Sequence, residues 1–231
     1  MLDIKNINTF IGQFHILEGV SVTVPKGNIH VLLGRNGAGK TTTLKSIMGI
    51  TPPTSGVIRF DGVDLAGKRP YEIAQMGIGY VPEHRAIFTE LTVRENLVLA
   101  GRTNKDFERK ADFIFDLFPD LQRLITLSGG NLSGGQQQML AVARALVPDN
   151  TLLLIDEPSE GLAPVIIETL MDAIQRLSES VTVLLVEQNF RVASRLAQAY
   201  TIIDEGHSVQ TGAMDQLVDD PALIQKYLGV A

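Results

Sequence analysis

Gly34-Arg35-Asn36-Gly37-Ala38-Gly39-Lys40-Thr41 has the form G-x-x-x-x-G-K-[ST], a glycine-rich loop that cradles phosphates. Upstream of it, Asn28 to Leu33 (NIHVLL) is a short apolar, β-branched run suited to a buried parallel strand. Downstream, Lys40 through Met48 reads as a helix that ends near Gly49 and is closed by Pro52-Pro53. Gly34, Gly37 and Gly39 let the backbone curl so that successive N–H groups point inward at an anion. The following helix then faces that anion with the positive end of its dipole. In this arrangement Lys40 reaches the β- and γ-phosphates of a nucleotide, and the Thr41 hydroxyl coordinates Mg²⁺. Gly34 to Thr42, with Arg35, Asn36 and Ala38 between the glycines, is therefore the expected nucleotide site. The bare pattern also arises by chance in Gly-rich turns; the strand before it and the helix after it make it specific.

Leu152 to Ile155 is a second continuous apolar run, too short for a helix and bounded by Asn150 and Pro158. It reads as a central strand that delivers Asp156 and Glu157 to its carboxyl end, where ligands of open α/β sheets bind. Two adjacent carboxylates there point in different directions, so one can join a metal shell while the other activates water. Between the two strands lies Leu132-Ser133-Gly134-Gly135-Gln136, about ninety residues after the glycine loop. Ser133 can start a helix, and Gln136 to Leu146 carries helix formers with an apolar stripe at Met139, Val142, Ala143 and Leu146. A Ser-Gly-Gly helix start is again an anion site. Leu127-Ser128-Gly129-Gly130 imitates the motif five residues earlier but lacks the Gln-rich helix, and reads as loop.

Taken in this order, the glycine loop, LSGGQ and the LLLIDE strand resemble the ATP-binding cassette of ABC transporters. Further landmarks extend the resemblance over essentially the whole chain: Tyr80-Val81-Pro82-Glu83, Leu91-Thr92-Val93-Arg94-Glu95-Asn96-Leu97, Ser159-Glu160-Gly161-Leu162-Ala163-Pro164 and Val186-Glu187-Gln188-Asn189. The resemblance implies a P-loop NTPase of the α/β class, with a RecA-like mixed sheet, an antiparallel β subdomain and an inserted helical subdomain. It implies ATP and Mg²⁺ as ligands, with Asp156 on the metal and Glu157 as the base for water. Ser133, Gly134, Gly135 and Gln136 are implied to close over the γ-phosphate held by a second cassette, in a head-to-tail dimer of like or related chains. An aromatic residue near the N-terminus is implied to stack on adenine; the candidates are Phe10 and Phe14, with Ile11 at the aligned position itself, and Phe10 is assigned to it.

Three departures narrow the subfamily. Glu83 stands where most cassettes have a Q-loop glutamine, Gln188 where most have a switch histidine, and Ala163-Pro164 replaces the D-loop aspartate. Glu83 keeps an oxygen for the metal shell. Gln188 keeps a donor and an acceptor for a catalytic role but cannot titrate near neutral pH. This combination resembles the LivF-type cassette of branched-chain amino acid importers, and urea and short-amide importer cassettes share much of it. The implied partners are transmembrane permease subunits and, through them, a periplasmic or extracellular substrate-binding protein. Glu83 to Phe88 is the expected seat of a permease helix, with Ile87 and Phe88 as apolar anchors.

Composition agrees. With 20 basic against 26 acidic residues the net charge is -6, and no basic block is present, which argues against nucleic acid as a partner. The lack of Cys suits a reducing compartment. No apolar run approaches the roughly eighteen residues of a membrane helix, and no signal-peptide core opens the chain. The expectation is a peripheral protein on the cytoplasmic face of the inner membrane. One domain over 1–231 is expected, with helices at about 84–131 and a short helical tail at 213–231. Chromosome-maintenance ATPases need a long coiled coil before LSGGQ, for which there is no room, and P-loop kinases and GTPases lack LSGGQ. The four His residues sit at no metal-ligand spacing.

Overall fold

Two long antiparallel strands open the chain, β1 (Leu2–Ile11) and β2 (Phe14–Val24), followed by β3 (Ile29–Leu33), the glycine loop and α1 (Lys40–Ile47). The computed structural model describes residues 1–103 and 105–229. After α1 come β4 (Ser55–Phe60), β5 (Val63–Asp64), α2 (Pro70–Gln75) and β6 (Ile78–Val81). A helical stretch follows, with α3 (Val93–Ala100), α4 (Asp106–Leu117), α5 (Pro119–Arg123), a 3-10 turn at Gly129–Asn131 and α6 (Gly134–Leu146). The remainder is β7 (Leu152–Asp156), α7 (Pro164–Leu177), β8 (Thr182–Val186), α8 (Phe190–Leu196), β9 (Ala199–Asp204), β10 (His207–Ala213), α9 (Met214–Val218) and α10 (Pro221–Leu228).

The strands form two sheets, one four-stranded in the order β2-β1-β4-β5 and one six-stranded in the order β10-β9-β3-β8-β7-β6. In the larger sheet β3 runs parallel to both β8 and β9, and β7 runs parallel to β6 and β8, while β10 pairs antiparallel at the edge. From α2, α6, α7 and α8 the chain thus returns to a parallel strand of this sheet, as βαβ connections require. All five residues of β3, β7 and β8 are buried, because each of these strands is covered on both faces. Alternate residues serve different cores. Leu152, Leu154, Leu184 and Val186 pack with α1 and the four-stranded sheet. Leu153, Ile155, Val183 and Leu185 pack with α6, α7 and α8.

The strand–loop–helix around Lys40 and the β-α alternation after residue 150 lie where the sequence places them. Three differences have local causes. The region before residue 30 holds strands of 10 and 11 residues rather than short ones, since the pairing runs through register shifts that hide the alternation. The sequence reading has no α2 and no β10. α2 is only six residues and is started by Pro70 with the Glu72 carboxylate accepting the Arg69 N–H at 2.7 Å. β10 (HSVQTGA) is a largely exposed edge strand without apolar alternation. The predicted tail is two short helices, and its last residues, 230–231, lie outside the described residues.

Candidate functional site

The carboxyl ends of β3, β7 and β8 meet at one place and are stitched by backbone bonds. The Glu157 N–H donates to the Val186 carbonyl at 2.9 Å, and the Glu187 N–H donates to the Leu32 carbonyl at 3.2 Å. The glycine loop rises from β3 beside them. A side chain at Gly34 would place its Cβ 2.1 Å from the Ile203 carbonyl oxygen of β9, at a φ of 152°, so only glycine passes there. Gly39, at φ 110°, starts α1 without any side-chain cap. The first N–H groups of the helix are therefore left free to meet an anion.

Lys40 is buried, and its ammonium donates to the carbonyls of Gly34 at 2.9 Å and Arg35 at 3.0 Å. These bonds wrap the loop around the lysine. Its third partner is the Glu157 carboxylate at 3.1 Å. Asp156 is fully buried at the end of β7 and accepts from the Thr41 hydroxyl at 3.0 Å and the Tyr80 hydroxyl at 3.2 Å. Burial pushes the Asp156 carboxyl up from the usual range, against the two hydroxyl bonds that pull it down. Burial likewise raises the Tyr80 hydroxyl, helped by the Asp156 charge, so Tyr80 stays a donor. Directly after Asp156 the backbone turns left-handed, with Glu157 at φ 43°, a conformation that costs about 1–3 kcal/mol in a non-glycine residue. The turn brings Glu157 back over the loop, beside Lys40.

Lys40, Thr41 and Glu157 border a cavity of about 370 Å³ that is also lined by Ile11, Ile16, Asn36, Gly37, Gly39, Thr42, Glu83 and Glu160, with Asp156 buried beneath Thr41 and Ala38 packed into the core. Uncapped helix N–H groups, a buried ammonium, a hydroxyl–carboxylate pair and three further carboxylates form a ligand set that fits a polyphosphate with a divalent cation. The structure thus brings Gly37, Gly39, Lys40, Thr41, Thr42, Asp156, Glu157 and Glu83 together. Gly34 and Arg35 contribute carbonyls to Lys40, and the Arg35 side chain points away, toward the Lys226 carbonyl of α10 at 3.4 Å.

Other predicted residues lie apart from the cavity. Phe10 does not line it: its ring stacks on His15 at a centroid distance of 4.1 Å. Alternation along β1 sends Phe10 to the opposite face from Ile11, which together with Ile16 forms the aliphatic wall. Phe10, expected to stack on adenine, thus lies outside this cavity. Gln188 is exposed beyond β8 and does not border the cavity. Ser133 and Gln136 form a capping box at the start of α6: the Ser133 N–H donates to the Gln136 side chain at 2.9 Å, and the Gln136 N–H donates to the Ser133 hydroxyl at 3.4 Å. Gly134 lies against the Arg85 guanidinium, and Gly135 lies against Ile166 of α7. Arg85 in turn donates to the Gln137 side chain at 3.3 Å, which links the Glu83 segment to α6. Ile87 is half-buried against the core, so of the two expected anchors only Phe88 is free, 45% exposed under the Arg144 guanidinium. Sequence reasoning assigned no role to Tyr80, Ile16, Glu160 or Glu187, because single residues without a spacing rule carry no local signal.

Residues 17–160 match the family described as ABC transporter. Over 99% of its length the chain is 42% identical to the high-affinity branched-chain amino acid transport ATP-binding protein BraG of Pseudomonas aeruginosa, all of which is covered. It is 33% identical over its whole length to the probable branched-chain amino acid transport ATP-binding protein LivF of Archaeoglobus fulgidus, 99% covered. It is also 33% identical, over 99% of its length, to the lipopolysaccharide export system ATP-binding protein LptB of Escherichia coli K12, 97% covered. Among solved structures, the ADP conformation of MJ1267, an ATP-binding cassette of an ABC transporter, superimposes with a TM-score of 0.87 at 26% identity, covering 100% of this chain and 99% of that one. The dimeric structure of MJ0796, a bacterial ABC transporter cassette, superimposes with a TM-score of 0.83 at 25% identity, covering 93% and 99%. The glycine loop on β3, the carboxylates on β7 and these full-length similarities together place the chain in the ABC transporter family, as an ATP-binding subunit that hydrolyses ATP.

Proposed function

We propose that this subunit powers uptake of branched-chain amino acids through a separate permease, working as a head-to-tail pair with a second cassette at the cytoplasmic face of the membrane. The observation that carries the reading is the 42% identity to BraG over the length of both chains. The Glu83 and Gln188 departures support the same subfamily. Among the described residues no helix is long and apolar enough to cross a membrane, and this reading assigns the crossing to separate permease subunits.

In this reading the loop N–H groups and Lys40 hold the phosphates. Lys40 offsets charge on the transferred phosphoryl group. Thr41, Asp156 and Glu83 would hold Mg²⁺, which when bound supplies charge neutralisation for the phosphates. Glu157, beside Lys40, takes the proton of the attacking water. Ser133 to Gln136 lie outside the chain's own cavity, which suits service to the nucleotide of a partner. Gln188 contacts the γ-phosphate once the pair closes. A periplasmic or extracellular binding protein would deliver the solute.

The test is uptake of labelled leucine, isoleucine and valine in cells lacking the gene, beside urea and acetamide. Uptake of the branched amino acids should be lost, and should return with the parent gene but not with Glu157→Gln. Unchanged amino acid uptake with loss of urea or acetamide uptake would favour the amide importer instead. LptB, an exporter cassette, shares the frame at lower identity, and normal uptake of all five solutes would turn attention to export.

A further inference from the structure

Glu187 is 1% exposed at the end of β8. One carboxyl oxygen accepts the Ser159 N–H at 3.2 Å, and the other accepts the Asn189 N–H at 3.1 Å. Among the described residues no Lys, Arg or His forms an ion pair with it; the cation nearest the catalytic carboxylates, Lys40, is taken by Glu157. A buried carboxyl without a counter-ion is costly, and a neutral core residue would fill such a place more cheaply. Burial pushes its pKa up to about 7. Its cost calls for a reason, and its two partners supply one.

Both N–H groups belong to segments named in the hydrolysis reading. Ser159 follows Glu157 by two residues, in the turn entered at φ 43°. Asn189 directly follows Gln188 and starts α8, accepting from the Arg191 N–H at 3.1 Å and the Val192 N–H at 3.4 Å. The Glu187 N–H also reaches the Leu32 carbonyl of β3. Gln188 itself is exposed, so its direction is set by its backbone, and that backbone is tethered on both sides by Glu187.

We propose that Glu187 is a positioning residue that fixes Gln188 relative to the Glu157–Glu160 turn by holding the Asn189 and Ser159 amides on one carboxyl group. The proposal rests on Gln188 taking part in hydrolysis. Glu187 touches no reacting atom; it acts through the peptide that carries Gln188.

The experiment is a double-mutant cycle of parent, Glu187→Gln, Gln188→Ala and the double variant, each read for turnover at saturating Mg-ATP, for affinity by displacement of a fluorescent ATP analogue, and for thermal melting. Glu187→Gln keeps the size but turns an amide toward one of the two N–H groups. Its turnover should fall about tenfold with affinity within about threefold, the pattern of an interaction used after binding. In the Gln188→Ala background the same change should alter turnover less than about twofold, because two residues acting as a unit are not additive. A general structural defect would instead multiply the losses and weaken nucleotide binding, and that result overturns the proposal. So does parental turnover in Glu187→Gln. Parental turnover in Gln188→Ala would sink the role of Gln188 itself and is read separately. If Glu187→Gln does not melt cooperatively, Glu187→Asp, which keeps the charge but reaches only one amide, takes its place under the same criteria.

Discussion

Lys40 and Glu157 form one ion pair at 3.1 Å, yet their loss should have opposite signatures. Glu157→Gln leaves the loop, Lys40, Thr41 and Asp156 in place, so nucleotide binding should persist. Turnover should fall roughly 10²- to 10⁴-fold, the worth of a positioned base. Lys40→Ala removes the group that gathers the loop carbonyls and should weaken nucleotide affinity itself. Equilibrium binding beside steady-state rates separates the two, and near-normal hydrolysis in Glu157→Gln would mean another group is the base. Glu187 gives a prediction in pH. Its carboxyl is raised from 4.5 to about 7 in the fold, so between those values the folded protein keeps a proton that the unfolded chain has released. Stability from this group is complete below pH 4.5 and is lost as pH rises through 7, about 3 kcal/mol in all. From pH 4.5 to 8 the unfolding free energy of Glu187→Gln should therefore gain on the parent's by up to that amount in urea melts. A pH-independent difference would show that Glu187 titrates as an ordinary surface carboxylate. At this scale the motif residues are legible because their spacing is local. That Ile11 and not Phe10 borders the cavity was not legible, because neighbouring strand residues face opposite ways and sequence does not say which face holds the cavity.

Gly135 near the start of α6 lies directly against Ile166 of α7. A Cβ on Gly135 would stand 2.8 Å from Ile166 Cγ2, whereas one on Gly134 would meet only the end of the Arg85 side chain at 3.2 Å. Gly135→Ala should accordingly cost about 1–3 kcal/mol through overpacking. Gly134→Ala should stay within about 0.5 kcal/mol, as surface changes usually do. Denaturant midpoints of the two variants decide, and equal midpoints would mean α7 moves aside freely. At the other end of α6, Arg144 holds the Ala86 carbonyl and lies 4.8 Å from the centre of the Phe88 ring. Phe88→Asp should therefore leave basal hydrolysis within about twofold, since Phe88 does not line the cavity, but abolish stimulation by the permease. Normal stimulation would place the docking groove elsewhere. The helices themselves are well marked in sequence, α3 and α6 each by a capping box with Thr92 or Ser133 at its start. Six-residue α2 and edge strand β10 are not, because a short or solvent-facing element carries too little apolar pattern.

Across the whole molecule, the cavity and the Ser133–Gln136 helix start do not meet within one chain. Hydrolysis by the isolated protein should then rise faster than linearly with concentration, and Ser133→Arg should abolish it while leaving nucleotide affinity unchanged. Mixing Ser133→Arg with Glu157→Gln protein gives pairs that hold one intact composite site. Rates strictly proportional to the concentration of a demonstrated monomer would end the composite-site reading.

By itself the sequence determined the glycine loop between strand and helix, the carboxylates at the end of β7, the helix behind LSGGQ and the βα alternation, because each is written in spacings of a few residues and in periods of 2 or 3.6. The tertiary structure alone decided which residues meet across the sheet. Thr41 and Tyr80 converge on Asp156 from separate segments, Ile11 replaces Phe10 on the cavity wall, and Glu187 bridges Ser159 and Asn189. These relations depend on strand order β3-β8-β7 and on which way each strand's alternation is turned by packing. Both follow from burying two cores at once, which no local window of sequence records.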